Sequence, residues 1–338
     1  MAIRYTIPSG VFVASIVAIG CNEPIASTTI TSVHGTCADA GGENCPTDGG
    51  DDPIVDDKNK TNYVITAGER SAEAKRKPWS SWWYPHWQDT LFEGKMNELA
   101  PLQKYDAFAL TLNRRTSAAA YERSSLYDPR AVSWSGLCDA WAIASVMEPE
   151  PARMQSHGQL LFRVGDLKAL LLKTYENIDP LTIIGDRFNG EWDDEYADVA
   201  PNLFHEVVET ELIGKKRAFI IDEDPGPEVW NEPAWKVMTR VSRVEGSPNI
   251  ARVQTWLFLA SPHVEDRDFV GTHEDSREYT YDLEGVWEGD KFRVKSGQWT
   301  DRSQWDHPDY VIKLPDTIKR GSFNPHIDPE LVDKIRKQ

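Results

Sequence analysis

The spacing of apolar positions changes character several times along the chain. Val11 to Gly20, "VFVASIVAIG", is an almost unbroken apolar run. It is long enough for the central region of a signal peptide and too short for a spanning helix. Residues 21–62 then carry almost nothing to bury. "RKPWSSWWYPHW" (Arg76 to Trp87) is aromatic and broken by proline, the texture of a segment that wraps a core. Helical spacing follows near Gln103 to Leu112 and, more briefly, in "SAAAYERSSLYDP", which Pro129 stops. A third helix is expected after Ser135-Gly136, running through Cys138, Ala140, Trp141, Ala144 and Ser145 until Pro149 ends it. Val164 to Glu176 puts Leu167, Leu170, Leu171 and Leu172 on one broad apolar face. "APNLFHEVVETELIGKK" is another helix, with Asn202 as its cap and Gly214 as its end.

After residue 217 the texture changes to that of strands. "RAFIIDE", "AWKVMTRVSRVEG", "IARVQTWLFLA", "REYTYDLEGVW", "KFRVKSGQW" and "DYVIKL" are rich in β-branched and aromatic residues and are separated by Gly, Pro and Asp. Helices first and strands afterwards predict an α+β fold with an antiparallel sheet. No internal repeat is visible, and no later segment is apolar enough to span a membrane.

Composition adds a compartment. Met1 to Arg4 is a short positive region before the apolar run, and "AIGC" places small residues directly before Cys21, a pattern that resembles a bacterial lipobox. Residues 1–20 therefore read as a signal peptide and Cys21 as a lipidation site, with plain secretion and cleavage as the alternative. The acidic run "DGGDDPIVDD" (Asp48 to Asp57) marks residues 21–62 as a solvated tether, and residues 63–338 as the folded domain. The net charge of −17 argues against nucleic acid as a partner. An exported monomer, held at the cell envelope by a lipid anchor or secreted, is the expectation.

Four cysteines are present. With Cys21 assigned to lipid, Cys37 and Cys45 can close a small disulfide loop inside the tether, which leaves Cys138 over. A helix start is where a thiol gains nucleophilicity, because the macrodipole and the free N–H groups favour the thiolate. Asp139 beside it opposes that effect. A buried, inert cysteine is the alternative. A nucleophilic thiol needs a base and a group to orient the base. Of eight histidines, His205 in "NLFHEVV" stands out, while His34 lies in the tether, His86 and His157 in loop-like stretches, and His263, His273, His307 and His326 in turns or the C-terminal region. Asp222 at the end of "AFIID" and Asn231 in "EVWNEP" are the candidate orienters. No metal site is read: Cys-x-x-Cys is absent, "HEVVE" lacks a second histidine, and "DEDPGPE" is acidic enough to attract calcium without matching an EF-hand loop. No cofactor is called for, and calcium stays open.

These blocks carry a resemblance. "PWSSWWYPHW", "KYD", "YDPRAVSWSGLCDAWAIASVMEPEP", "LFHEVV", "ELIGKKRAFIIDEDPGPEVWNEP" and "DHPDYV" occur in the order seen in the transglutaminase elicitor family, known from secreted oomycete glycoproteins and bacterial relatives. The chain resembles that family over about residues 76–315. The resemblance implies a variant papain-like cysteine-protease fold with a central nucleophile helix packed on the sheet. It also implies a Cys–His–Asp triad for glutamine acyl transfer, which falls here on Cys138, His205 and Asp222, with Asp224 one register away. Trp134, Trp141 and Trp230 are candidates for walls that restrict water, or for plain core packing.

The expected activity is protein-glutamine γ-glutamyl transfer, joining Gln and Lys side chains of protein substrates through a Cys138 thioester. The alternatives are a cysteine protease or glutamine deamidase with the same triad, and a non-catalytic cell-surface binding lipoprotein. For the anchor, Cys21→Ala is expected to move the protein from the detergent phase to the soluble fraction. An unchanged partition between phases removes the lipoprotein assignment.

Overall fold

A computed structural model of the chain describes residues 59–187 and 198–337. The expected signal peptide, the expected lipidation at Cys21, most of the expected tether and the expected pairing of Cys37 with Cys45 lie outside the described residues. No helix among the described residues is long and apolar enough to cross a membrane.

The fold is mixed α and β, organised on an antiparallel sheet. The six expected strands all form: β6 (Phe219–Asp222), β7 (Asn231–Val244), β8 (Ser247–Ala260), β9 (Glu274–Glu288), β10 (Lys291–Trp299) and β11 (Tyr310–Lys313). Three more join them from the part read as helical or as loop: β1 (Tyr63–Thr66), β2 (Gly68–Glu73) and β5 (Thr182–Gly185). The sheet runs β1-β10-β9-β8-β7-β6-β11-β5, with β2 also pairing to β7. β6 and β2 share one edge of β7: β6 pairs with Asn231 to Ala234 and β2 with Lys236 to Val241. The simple order of helices then strands is thus corrected. "YVIT", "GERSAE" and "TIIG" are too short to show a period of two, and pairing with longer strands makes them strands.

Helices cover both faces. α1 (Pro101–Thr111), α3 (Cys138–Met147), α4 (Val164–Lys173) and α6 (Pro329–Arg336) pack in one core with Ile220, Trp235, Ala260, Tyr310 and Ile312 of the sheet. The other core holds Phe204 and Val207 of α5 (Pro201–Val207), its π-helical continuation Val208–Lys215, and Phe219, Ile221, Val237, Leu257 and Val311. Successive side chains of a strand point to opposite faces, so Phe219 and Ile221 belong to one core and Ile220 to the other. A short α2 (Ala118–Tyr121) and a small hairpin of β3 (Gln155–His157) and β4 (Leu160–Phe162) complete the helical side.

Helix boundaries follow the expected signals with two corrections. Asn202 does not cap α5. Ala200 stands at that position and Pro201 opens the helix, while the Asn202 amide donates to the Asn59 carbonyl at 2.6 Å. The helical stretch also runs past Gly214 to Lys215 and closes on Lys216 in the left-handed region, φ 56°.

Helix α3 is central, packed against β7 and β6 and against α4. Trp141 is fully buried in it, and its Nε1–H donates to the Trp79 carbonyl at 2.9 Å. Trp141→Ala removes a packed indole and strands that carbonyl. A loss of about 3–5 kcal/mol is expected in chemical denaturation; a loss under 1 kcal/mol contradicts a close-packed core around α3.

Candidate active site

Cys138 is the first residue of α3, with Leu137 as the cap. The preceding turn is held tightly: the Leu137 N–H donates to the Trp83 carbonyl at 2.6 Å. Gly136 is required there, since a Cβ would lie 2.6 Å from Trp83 Cδ1 and 2.8 Å from the Trp83 carbonyl oxygen. The aromatic segment before α1 therefore packs on the helix start and fixes its position.

The sulfur itself is fully buried, 3.9 Å from the Val229 carbonyl oxygen and 3.5 Å from Asp139 Oδ1. It forms a disulfide, and its partner lies outside the described residues. A disulfide sulfur carries no proton, so the two short approaches are contacts rather than hydrogen bonds. The expectation of a lone reactive thiol is corrected: this structure holds Cys138 in its oxidised form.

A polar string runs beside the sulfur. Asn231 Nδ2 donates to Asp139 Oδ1 at 2.5 Å, and the Tyr310 hydroxyl donates to Asn231 Oδ1 at 3.0 Å. Burial pushes the Asp139 carboxyl up to about 6, against the Asn231 hydrogen bond and the Arg187 charge, which pull it down. Asp222 is completely buried at the end of β6, and its Oδ1 accepts from the Trp230 N–H at 2.9 Å. Burial first, and then the charges of Asp309 and Asp139, raise its carboxyl well above the ordinary range. Asp222 shares the face of Ile220, two residues before it. Cys138, Asp139, Asp222 and Asn231 are thus gathered around the Val229–Trp230 link.

His205 is not among them. It is fully buried in α5, among the residues of the other core, across the sheet from α3. Its Nδ1 lies 2.6 Å from the Tyr281 hydroxyl, which also meets Thr255 at 2.8 Å. Its Nε2 is 3.2 Å from Glu209 Oε1, an approach too poorly aligned to be a hydrogen bond. The assignment of His205 as base to Cys138 is corrected on this geometry. A helix that follows α3 in sequence packs on either face with equal ease, and the local pattern "NLFHEVV" carries no mark of which.

The remaining candidates separate cleanly. Asp224 is a turn former, its Oδ1 accepting from the Gly226 N–H at 2.8 Å. Trp141 is core. Trp134 is buried at 8% exposure, with the Arg187 guanidinium 5.9 Å from its ring. Trp230 is only half-buried, and its Nε1–H donates to Glu228 at 2.8 Å. Trp230 therefore keeps the reading of a site wall.

Sequence reasoning passed over His263. It follows β8, and its ring packs 4.5 Å from Trp230 and 5.8 Å from Trp83. Those two indoles flank the helix start, so His263 reaches the Cys138 side of the molecule. Its Nδ1 lies 3.1 Å from the Ser261 hydroxyl. Burial, and then the nearby His273, hold the imidazole below its ordinary range, so it is neutral near pH 7. Tyr310 was also missed, although the "DHPDYV" block contained it.

Asp139 gives a pH signature. A carboxyl whose pKa is higher in the fold than its ordinary 3.8 binds its proton more tightly when folded. Its contribution to stability is complete below about pH 3.8 and is lost as pH rises through about 6. Asp139→Asn keeps the Asn231 contact and removes this titration. The fall in stability between pH 4 and 6 is expected to be shallower in the variant, as read by denaturation at each pH. Parallel profiles sink this account.

The sequence model of the transglutaminase elicitor family matches residues 115–255. Comparison with curated proteins finds no match. The structure is similar to the crystal structure of the GP42 transglutaminase from Phytophthora sojae, with a TM-score of 0.61 and 18% identity, over 79% of this chain and 90% of that one. At that identity the likeness establishes a shared fold. The family match spans Cys138, Asp222 and Asn231 together with the π-helical stretch between them. The resemblance to the transglutaminase elicitor family carried by the sequence is therefore shown, through the stretch of residues 115–255 that the family's own pattern matches.

Proposed function

We propose that this chain is a transglutaminase-type acyltransferase that uses Cys138 as nucleophile on glutamine side chains of protein substrates. The observation that carries the reading is the position of Cys138. It opens a central helix that packs on the sheet, and the half-buried Asp139 and the buried Asn231, Tyr310 and Asp222 adjoin it. The family match and the GP42 likeness support it. A variant papain-like arrangement of helix and sheet is part of the same proposal.

The first step is reduction. Two electrons from an external dithiol, itself oxidised to a disulfide, open the Cys138 disulfide and free Cys138 as a thiol, whose proton passes to the neutral base and leaves the thiolate. The thiolate attacks the carboxamide carbon, and the oxyanion that forms sits near the first-turn N–H groups of α3. Ammonia leaves with a proton from the base, and a thioester remains. A lysine amine attacks the thioester, gives up a proton and restores the thiolate, leaving an isopeptide bond. Water in place of the amine gives glutamate. The base in this proposal is His263, not His205. His263 is neutral near pH 7, its Nδ1 is tied to Ser261, and it stands on Trp230 and Trp83. Asp222 and the Asp139–Asn231–Tyr310 string shape the floor of the site, and Trp230 excludes water.

The test is incubation of the full chain, with a reductant, a labelled primary amine and a glutamine-rich protein, followed by mass analysis. Amine incorporation is expected, and Cys138→Ala is expected to abolish it. His263→Ala should reduce the rate by about 10²–10⁴-fold, the usual contribution of a positioned general base. His205→Ala should lower stability while the folded fraction keeps its rate. Deamidation alone, or chain cleavage, selects the hydrolytic alternatives. Full activity in Cys138→Ala removes the thiol mechanism altogether.

A further inference from the structure

The Glu-Pro-Glu-Pro run that follows α3, Glu148 to Pro151, adjoins two segments that carry groups of the candidate site. One is Pro78 to Ser81, which leads into Trp82 and Trp83. The other is residues 261–273, which join β8 to β9 and carry His263. This joining segment has few apolar anchors. Val264 is buried, but Glu265, Asp266, Arg267 and Val270 are exposed. Polar ties therefore decide where it lies. The Ser80 N–H donates to the Gly271 carbonyl at 2.8 Å, and the His273 N–H to the Ser80 hydroxyl at 2.8 Å. The Thr272 hydroxyl donates to the Pro78 carbonyl at 2.7 Å.

A buried ion pair sits at the centre of these ties. Lys168 of α4 is completely buried. Its ammonium donates to the Ser80 carbonyl at 2.6 Å, to the Phe269 carbonyl at 2.8 Å and to Glu150 Oε1 at 2.8 Å. An ammonium has three N–H groups, and each finds an acceptor here. Glu150 in turn accepts from the Gly271 N–H, at 2.9 Å to Oε1 and 3.1 Å to Oε2. The pair thus bonds the backbone of both segments at once. Burial pulls the Lys168 ammonium down, and the Glu150 hydrogen bond and charge oppose that. A buried ion pair adds little net stability compared with apolar side chains of similar volume. What it enforces is one arrangement, because losing either member strands the backbone groups bonded to it.

We infer that Lys168 and Glu150 are positioning residues for the acyl-transfer site: together they clamp the His263 segment to the Trp83 segment at one fixed separation. The two segments meet again at the site, where the His263 ring lies 5.8 Å from that of Trp83. The Trp83 carbonyl in turn holds the turn before Cys138 through the Leu137 N–H. The clamp therefore sets where the imidazole stands relative to the start of α3. It works through short lengths of chain, from Ser80 to Trp83 on one side and from Phe269 back to His263 on the other. Lys168 and Glu150 act through the backbone and take no part in proton transfer. The inference rests on His263 as the base. A pair that served the core alone would stabilise the fold and leave the imidazole where it is.

Two variants of the full chain test the clamp. Lys168→Met removes the charge and keeps the length of the side chain, and Glu150→Gln removes the charge and keeps an acceptor. Each should slow amine incorporation by about 10²-fold at equal folded fraction, the scale on which a small misplacement of reacting groups acts. In the His263→Ala background neither should slow it further, because residues that act through one group are not additive. A second readout needs no activity. The His263 imidazole is followed by NMR, its signal assigned by its loss in His263→Ala. Its pH midpoint should rise towards the ordinary 6.5 in both variants, since a released segment returns the ring to water. The charged neighbours of the ring, His273, Asp275 and Glu228, are unchanged in both. The His205 signal, from the far core, should stay in place. A wild-type chain that incorporates no amine sinks the acyl-transfer reading alone, and the NMR measurement then decides the clamp. Glu150 keeps some exposure, so Glu150→Gln decides the matter should Lys168→Met fail to fold. An unmoved His263 signal overturns the clamp. So does a loss of rate in the His263→Ala background as large as that in the wild type.

Discussion

The constraint on which the rest depends is the register of the β6–β7 hairpin. Asp222 faces Asn231 and Ile221 faces Glu232. A slip of one residue would exchange every side chain between the two faces. Asp222 and Asn231 would then leave α3, and Glu232 would enter the apolar core beneath it. The register is pinned from both sides, by Ile220 in one core and by Phe219 and Ile221 in the other. A strand of four buried residues thus sets which polar groups face the candidate acyl-transfer site and which face the far core.

The same partition explains why His205 stands apart. α5 and its π-helical continuation pack on the far face, with Phe204 against Tyr279, Tyr281 and Trp299. Within that packing the imidazole has a structural task. It joins the Tyr281 hydroxyl and the Glu209 carboxylate, and Arg70 of β2 pairs with Glu209 from the other side. A buried imidazole with two such neighbours ties α5 to β9 and β2. The polar and aromatic groups gathered on the Cys138 side instead come from positions that sequence order scatters widely: Trp83, Asp139, Asp222, Asn231, His263 and Tyr310.

Oxidation of Cys138 gives the site a second layer. The residue is at the helix start where a thiolate is favoured, yet it is held as a disulfide and shut from solvent. Helix dipole and first-turn N–H groups act on the reduced form only, because a disulfide has no charge to stabilise. The raised carboxyls of Asp139 and Asp222 belong to the same picture. Two carboxyls raised by desolvation on the Cys138 side are tolerable when protonated, and a thiolate released there raises the cost of ionising Asp139, which lies 3.5 Å from the sulfur.

Much was legible in the chain itself. Apolar spacing located α1, α3 and α4 and the long strands β7 to β10, which each bury a continuous apolar face, while short apolar runs rich in β-branched residues located β6 and β11. The small residues after Cys138 marked a central helix, since only small side chains let a helix approach a sheet so closely. The block "EVWNEP" marked a site through its polar residues at a strand start. Short strands such as β1, β2 and β5 were not legible, because four to six residues carry no period and their partners alone define them. Nor was the side of the sheet on which His205 lies, or the approach of His263 to Trp83 across 180 residues of sequence. Local spacing says which face of an element is apolar. Which neighbour covers that face is settled by long-range packing, and the reacting groups are brought together only there.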